Sequence, residues 1–66
     1  MQIFLNGESR DIPDNTTAAA LVESLGLTGK RVAMEVNMEI VPHSQYATHC
    51  FQPGDKVEVV QAIGGG

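Results

Sequence analysis

Tryptophan is absent from this 66-residue chain, and the only cysteine is Cys50. A single cysteine cannot form a disulfide within the chain, so packing must hold the fold together. The length leaves room for one small domain, which buries roughly 60% of the surface that its unfolded chain exposes. The core is therefore expected to be thin.

Basic residues are scarce: there are four, against eight acidic ones, and the net charge is −4. Nucleic-acid binding needs a basic face that displaces counterions, and an anionic membrane surface attracts clustered lysine and arginine. Only Lys30 and Arg31 are adjacent. The composition thus argues against nucleic acid and membrane as partners, and a basic protein surface fits the charge better.

Long apolar runs and a basic N-terminal segment are also missing. The first residues, Met1 to Gly7, lack the pattern of a signal peptide, and no run approaches the ~18 apolar residues of a membrane helix. An unpaired cysteine is typical of a reducing compartment. We therefore expect a cytoplasmic protein.

The chain opens with a predicted β-hairpin. Met1, Ile3 and Leu5 alternate with more polar neighbours, which indicates a strand. Asn6-Gly7 is the strongest short signal for a type I′ turn. Residues 8–12 then read as a returning edge strand that ends before Pro13.

A single amphipathic helix follows. Residues 14–17 are all of types that cap helix N-termini. Apolar residues then recur at helical spacing, at Ala18, Leu21, Val22 and Leu25. Gly26 is placed to end the helix in a left-handed conformation. We predict a helix of about eleven residues, near the average length.

Three further strands are predicted. They cover residues 32–36, the short stretch 39–41 and the final stretch 56–62. Residues 43–49 are polar and are expected to contain one helical turn. Because one apolar stripe covers only one face of a sheet, we predict an α+β fold. It has a four- to five-stranded mixed sheet with one main helix on one face, the β-grasp arrangement.

The alternation divides the apolar residues between two faces. Ile3, Leu5, Val57 and Val59 are expected to face the helix, whereas three others face away from it: Phe4, Val60 and Ala62. A few exposed apolar residues are ordinary on any protein. These three, however, include residues of the strand that leads to the terminal glycines. We therefore interpret them as a partner-docking face.

No catalytic motif is recognisable, and the carboxylates show no paired arrangement. His43, His49 and Cys50 are the soft ligand candidates, but a structural zinc site needs four ligands at recognisable spacing. We expect no metal site, no catalytic residue and a Cys50 that is a small buried hydrophobe.

The chain finishes on Ile63, Gly64, Gly65 and Gly66. Residues 1–62 are expected to form the domain, and residues 63–66 a flexible tail. Glycine has no Cβ, so such a tail fits a slot too narrow for side chains. Extended, the tail reaches roughly 13 Å.

The carboxylate of Gly66 at the end of this tail is ionised at neutral pH and is a usable nucleophile. An enzyme could attach AMP to it, after which sulfur or an amine could displace the AMP. A frayed terminus without function is the competing interpretation.

Several segments together resemble the ThiS family of sulfur carrier proteins, which are small ubiquitin-like β-grasp proteins of thiamine biosynthesis. They are the opening Met-Gln-Ile-Phe-Leu-Asn-Gly, the helix Ala-Leu-Val-Glu-Ser-Leu-Gly-Leu, the segment Val-Asn-Met-Glu-Ile-Val-Pro, the Gly54-Asp55 turn and the terminal glycines. The similarity spans essentially the whole chain.

The resemblance implies a protein cosubstrate with no bound cofactor, not an enzyme. Gly66 would be adenylated by a ThiF-like enzyme that uses ATP. Sulfur from a cysteine desulfurase would then replace AMP, and a ThiG-like thiazole synthase would accept it. Gly65 matches the other glycine of the family's terminal pair, while Gly64 matches a position that need not be glycine. His43 stands where many relatives have a basic residue.

Other functions remain open on the sequence. A MoaD-like carrier for molybdopterin, or a carrier for another sulfur-containing metabolite, would use the same terminal chemistry. A ubiquitin-like modifier would share the adenylation but form isopeptide bonds. A plain interaction module would use the Phe4, Val60 and Ala62 face alone.

Overall fold

The computed structural model describes residues 1–61, which form a five-stranded sheet with one α-helix on one face and a short 3₁₀ helix, His43–Gln45. The strands are β1 (Gln2–Leu5), β2 (Glu8–Asp11), β3 (Val32–Val36), β4 (Glu39–Ile40) and β5 (Lys56–Gln61). Their order across the sheet is β2-β1-β5-β3-β4. The central pair β1–β5 is parallel, and the other neighbours are antiparallel. The predicted α+β, β-grasp fold is confirmed.

The opening hairpin forms as its sequence predicts. Asn6 and Gly7 connect β1 to β2 with φ angles of 50° and 84°. Both are positive, as a type I′ turn requires, and asparagine and glycine tolerate that region best. Pairing runs from Leu5 opposite Glu8 to Gln2 opposite Asp11. All of β2 is exposed, as expected of an edge strand.

The helix, α1 (Ala18–Ser24), has seven residues, so the prediction of about eleven is wrong. Residues 14–16 form a separate turn, in which Thr16 donates to the carbonyl of Pro13. Only Thr17 caps the helix, since its hydroxyl accepts from the Ala20 N–H at 3.1 Å. The prediction placed the start of the helix too early, because four consecutive residues are of types that cap helices.

The end of α1 follows the prediction closely. Gly26 has φ +73° and donates to Glu23, while the N–H of Leu27 reaches back to Val22 at 3.1 Å. This pair of bonds is the Schellman arrangement, and it needs a residue in the left-handed region at the position of Gly26. The chain then turns back to enter β3.

The core lies between α1 and the inner face of the sheet. Its largest fully buried side chains are Ile3, Leu21, Met34 and Val57. Complete burial of such a side chain contributes about 1.5–3 kcal/mol relative to leaving it in water. The predicted inward positions of β1 and β5 are confirmed, as Ile3, Leu5, Val57 and Val59 are all buried. In the described part of the chain, no helix is long and apolar enough to cross a membrane.

The expectation that Cys50 is buried is wrong, because Cys50 is exposed. Its neighbour Phe51 takes the buried position, with 3% of its surface exposed. The two residues follow each other in extended backbone, where Cys50 forms a bridge with Thr17. Successive side chains then point to opposite sides. The larger apolar side chain gains more from burial and occupies the inner side.

Candidate functional site

The candidate site is built on β5, the strand that precedes the glycines. β5 lies at the centre of the sheet, and β3 pairs with it from Val57 to the last described residue, Gln61. β1 pairs with its first part only, at Lys56 and Val57. The strand is thus held on both sides at its start and by β3 to its end.

The side chain of Asn6 extends the pairing on the β1 side. β1 turns away at Asn6, whose N–H donates to the carbonyl of Val57 at 2.8 Å. Its side-chain amide then takes over: Oδ1 accepts from the Val59 N–H at 3.0 Å, and Nδ2 donates to the Val59 carbonyl at 3.2 Å. An asparagine amide offers the same donor and acceptor as a peptide group. The side-chain amide of Asn6 therefore pairs with the backbone of Val59 at a point beyond the end of β1, where no β1 backbone pairs with β5.

A second asparagine holds the start of β5. Asn37 lies in the turn between β3 and β4, and its Oδ1 accepts from the Lys56 N–H at 3.0 Å. Its Nδ2 donates to a carboxylate oxygen of Asp55 at 3.1 Å. The other oxygen of Asp55 accepts from the Gln52 N–H at 2.9 Å. These bonds fix where β5 begins. The sequence had indicated a turn at Asn6, but not that the amides of Asn6 and Asn37 both bond to one strand.

His43 supports the sheet beside the end of β5. Its Nε2–H donates to the carbonyl of Val32 at 2.6 Å, and Val32 pairs with Gln61. The imidazole ring also stacks on Tyr46, with 4.8 Å between ring centroids. Burial raises the pKa of the Tyr46 hydroxyl. The bond to Val32 and the contact with Tyr46 thus hold His43 against the sheet beside the last described residue of β5.

His43, His49 and Cys50 do not form one site. His49 and Cys50 line a surface groove of about 360 Å³, together with Ile40 and Asp55, whereas His43 lies elsewhere, against Tyr46. Within residues 1–61 there is no group of three or more histidine, cysteine, aspartate or glutamate residues that could hold a metal.

Two of the three predicted docking residues, Phe4 and Val60, lie on the face of the sheet that α1 does not cover. Phe4 is 40% exposed and Val60 is 60% exposed. Phe4 lies beside Lys56, four positions before Val60 along β5, which corresponds to about 13 Å. On the same face, the charged side chains of Lys56 and Glu58 lie between Phe4 and Val60. Phe4 and Val60 are therefore two separate exposed apolar side chains on one surface.

The remaining predicted residues lie outside the described part of the chain. They are Ala62, Ile63, Gly64, Gly65 and Gly66.

Known proteins resemble this chain in sequence and in fold. A family model described as "ThiS family" matches residues 3–66. The sulfur carrier protein ThiS of Escherichia coli (strain K12) is 35% identical over 66 residues, which are the whole of both chains. A crystal structure of a thiamine biosynthesis protein (ThiS) from Geobacter metallireducens shares the fold, with a TM-score of 0.84, 23% identity and complete coverage of both chains.

Two of the relatives, both thiazole synthases, are much longer than this chain. A thiazole synthase of Paramagnetospirillum magneticum (strain ATCC 700264 / AMB-1) is 46% identical over 66 residues. The match includes all of this chain but only 20% of that protein. The chain thus spans about a fifth of the length of that relative.

Proposed function

The chain belongs to the ThiS family, and on that premise we propose that it is a sulfur carrier whose Gly66 carboxylate is converted to a thiocarboxylate. The observation that carries this proposal is the full-length match to the sulfur carrier protein of Escherichia coli. Both that match and the family match extend to Gly66.

The proposed chemistry has two steps. A carboxylate oxygen of Gly66 attacks the α-phosphorus of ATP and expels pyrophosphate, which leaves an acyl adenylate. A sulfur nucleophile at the oxidation level of sulfide then attacks the acyl carbon and expels AMP. A C–S bond replaces the C–O bond, with no net oxidation. The first step is needed because a free carboxylate is a poor electrophile, whereas AMP is a good leaving group.

This chemistry needs two different parts in the carrier. One part is a body that a partner can recognise, and residues 1–61 supply it as a packed sheet and helix. The other is a thin arm that enters an active site, and we propose that Ile63, Gly64, Gly65 and Gly66 form it. The bonds from Asn6 and β3 keep β5 paired through Val59 and Gln61. The last described residue before the arm, Gln61, is therefore held in the sheet.

The activating partner, in this proposal, is a ThiF-like adenylating enzyme that binds the ATP. The carrier is then a cosubstrate and needs no bound cofactor of its own. A cysteine desulfurase is the proposed source of sulfur. It holds the sulfur as a persulfide, and two electrons from a thiol reductant release that sulfur at the oxidation level of sulfide. These reactions take place in the cytoplasm, where thiols stay reduced.

We propose a ThiG-like thiazole synthase as the acceptor of the sulfur. The thiazole synthase of Paramagnetospirillum magneticum supports this choice, because a fifth of its length matches the whole of this chain. A second thiazole synthase, from Magnetococcus marinus, shows the same coverage at 39% identity. Carrier and synthase segments in one polypeptide indicate that the two act on one another.

Phe4, Val60 and Ala62 are proposed to contact these partners. Phe4 and Val60 lie on the uncovered face of the sheet, and Val60 belongs to the strand that leads to the arm. An enzyme that holds Gly66 is therefore close to this face. Exposed apolar side chains on such a surface are suited to protein contacts.

The test is an intact-mass measurement on the purified chain after incubation with the adenylating enzyme, ATP and a sulfide source. We expect a product in which one oxygen of the C-terminal peptide is exchanged for sulfur. A chain that lacks Gly65 and Gly66 is the control and should stay unmodified while keeping its melting temperature. Larger conjugated species would instead assign the chain as a protein modifier. An unmodified mass would point to an interaction module.

A further inference from the structure

Two carboxylates face each other on the uncovered side of the sheet. Glu35 of β3 lies directly opposite Glu58 of β5. Directly opposed residues of an antiparallel pair have their Cβ atoms about 4.5–5.5 Å apart, and like charges at such positions destabilise a sheet. Glu35 is half-buried and Glu58 is exposed. The isolated domain therefore carries an unfavourable pair in the middle of its sheet.

Nothing in residues 1–61 neutralises this pair. Neither Glu35 nor Glu58 forms an ion pair or a hydrogen bond through its side chain in the described part of the chain. Lys56 shares their face, two residues before Glu58, but does not bond to either carboxylate. The four acceptor oxygens are open to a donor from outside.

Two exposed apolar side chains flank the pair. Ile40 of β4 lies opposite Glu35 and is 67% exposed. Val60 lies opposite Ala33 in the next row of the same face, also exposed. A surface with two carboxylates and an apolar side chain on either side of them is complementary to one basic side chain that has apolar neighbours.

We propose that this face binds a protein surface that places one basic side chain between Glu35 and Glu58, with apolar contacts at Val60 and Ile40. An arginine fits best, because its planar guanidinium has five N–H donors and can bond to two carboxylates at once. The charge of this site agrees with the net charge of −4 of the chain.

The inference rests on the proposed function, which supplies the partner: the enzyme that activates Gly66. Glu58 and Gln61 lie on one strand, and about 10 Å separate them at the rise of a β-strand. An enzyme that receives the residues after Gln61 is thus within reach of the acidic pair. Contact there relieves the repulsion only in the complex, so the pair favours binding.

The experiment measures how tightly the purified adenylating enzyme binds the full chain at low and at high salt. Glu35→Gln and Glu58→Gln each remove one charge and keep the shape of the side chain. Glu23→Gln is the matched control, because it removes the same charge from the exposed side of α1. We expect each sheet variant to weaken binding about tenfold, with a smaller effect of salt than in the unchanged chain. The control should stay within about twofold.

A second variant separates binding from folding. Glu58→Lys places an opposite charge across from Glu35, and opposite charges at such positions stabilise a sheet. We expect a higher midpoint of urea unfolding together with the weakest binding of the series. A loss of binding in a more stable domain cannot result from unfolding.

Three results would overturn the inference. If Glu35→Gln, Glu58→Gln and Glu23→Gln all bind the enzyme with equal affinity, the acidic pair does not belong to the interface. The carrier function would be unaffected by that result. Sedimentation could show that the chain forms a dimer. If Glu58→Gln weakens that dimer, this face binds a second copy of the chain and not the enzyme. If the enzyme does not activate Gly66 of the unchanged chain in ATP–pyrophosphate exchange, the carrier function itself fails, and the inference with it.

Discussion

The side-chain amide of Asn6 makes two hydrogen bonds to the backbone of Val59, at 3.0 and 3.2 Å, across 53 positions of the sequence. Asn6 is a turn residue of the first hairpin, and Val59 lies near the end of the last strand. The amide joins the beginning of the fold to the strand that leads to the glycines. It does so where β1 has already turned away, so it replaces backbone pairing.

Asn6→Gly is expected to lower the free energy of unfolding by about 2 kcal/mol. Glycine keeps the positive φ of Asn6, 50°, but leaves the N–H and carbonyl of Val59 without their partner, and an unpaired, partly buried polar group costs about 1–3 kcal/mol. Urea denaturation measures the change. Asn37→Gly is the comparison at the other asparagine clamp, where the bonds are exposed and the loss should be smaller. An unchanged midpoint for Asn6→Gly would mean that water replaces the amide.

Met38→Gly is expected to raise the free energy of unfolding by roughly 0.5–1 kcal/mol. Met38 is 87% exposed and has φ +71°, a conformation that costs an L-residue roughly 1–2 kcal/mol. Glycine removes that cost, but it loses more backbone entropy on folding, so the net increase in stability is smaller. Thermal unfolding measures the effect. Met38→Ala removes the same exposed side chain but keeps the strain, so it should not gain stability. An equal gain in both variants would contradict strain as the cause.

Tyr46→Phe is expected to make the domain less sensitive to alkaline pH. Burial raises the pKa of Tyr46 above its ordinary value of about 10. The unfolded chain therefore loses this proton first, and stability falls as the pH rises above that value. Unfolding midpoints at pH 8 and at about pH 11 measure the difference between the two proteins. All other side chains are the same in both proteins, so the difference between them reports on Tyr46.

The same variant has an expected effect at neutral pH. The hydroxyl of Tyr46 is buried and has no hydrogen-bond partner among residues 1–61. Its removal should leave stability unchanged or raise it by about 1 kcal/mol. A marked loss of stability at neutral pH would show that the hydroxyl is bonded in solution.

Cys50 is expected to react with a thiol reagent in the folded protein at a rate close to that of the unfolded chain. Its side chain is exposed, so the reagent needs no unfolding to reach it. Absorbance with a disulfide reagent measures both rates, without and with urea. Cys50→Ser should change stability by less than about 0.5 kcal/mol, as is usual for exposed positions. Strong protection of the thiol would contradict its placement.

Gly65→Ala is expected to weaken activation by the adenylating enzyme, because a Cβ at this position has to enter the proposed narrow channel. The value of kcat/KM in ATP–pyrophosphate exchange measures the loss, which we expect to be about tenfold or more. Gly64→Ala is the matched control, because the same methyl group is added one residue further from the carboxylate. Equal and small effects of both variants would argue against a narrow channel.

The sequence by itself determined the order of the elements and most of their ends. Period-two alternation placed β1, β3 and β5, because successive residues of a strand face opposite sides. Asn6-Gly7 and Gly26 fixed a turn and a helix end, since each position requires positive φ. These are local effects, and local sequence contains them. The resemblance to the ThiS family was likewise readable from segments of the chain.

Only the tertiary structure decided which residues meet across long separations. The start of α1 depended on which of the four capping residues accepts from the helix backbone, and only Thr17 does so, because the backbone N–H of Thr16 bonds to Pro13 in a separate turn. Cys50 became exposed because Phe51 competed for the same inner position. Such outcomes depend on neighbours that are distant in the sequence.

The candidate site shows the same division. Alternation was enough to place Phe4 and Val60 on the uncovered face. The register between β3 and β5 was needed to set Glu35 against Glu58, because a shift by one residue would move one carboxylate to the other face. Register results from packing of the whole inner face against α1. For that reason the sequence indicated where a partner could bind, and the structure determined which charges it would meet there.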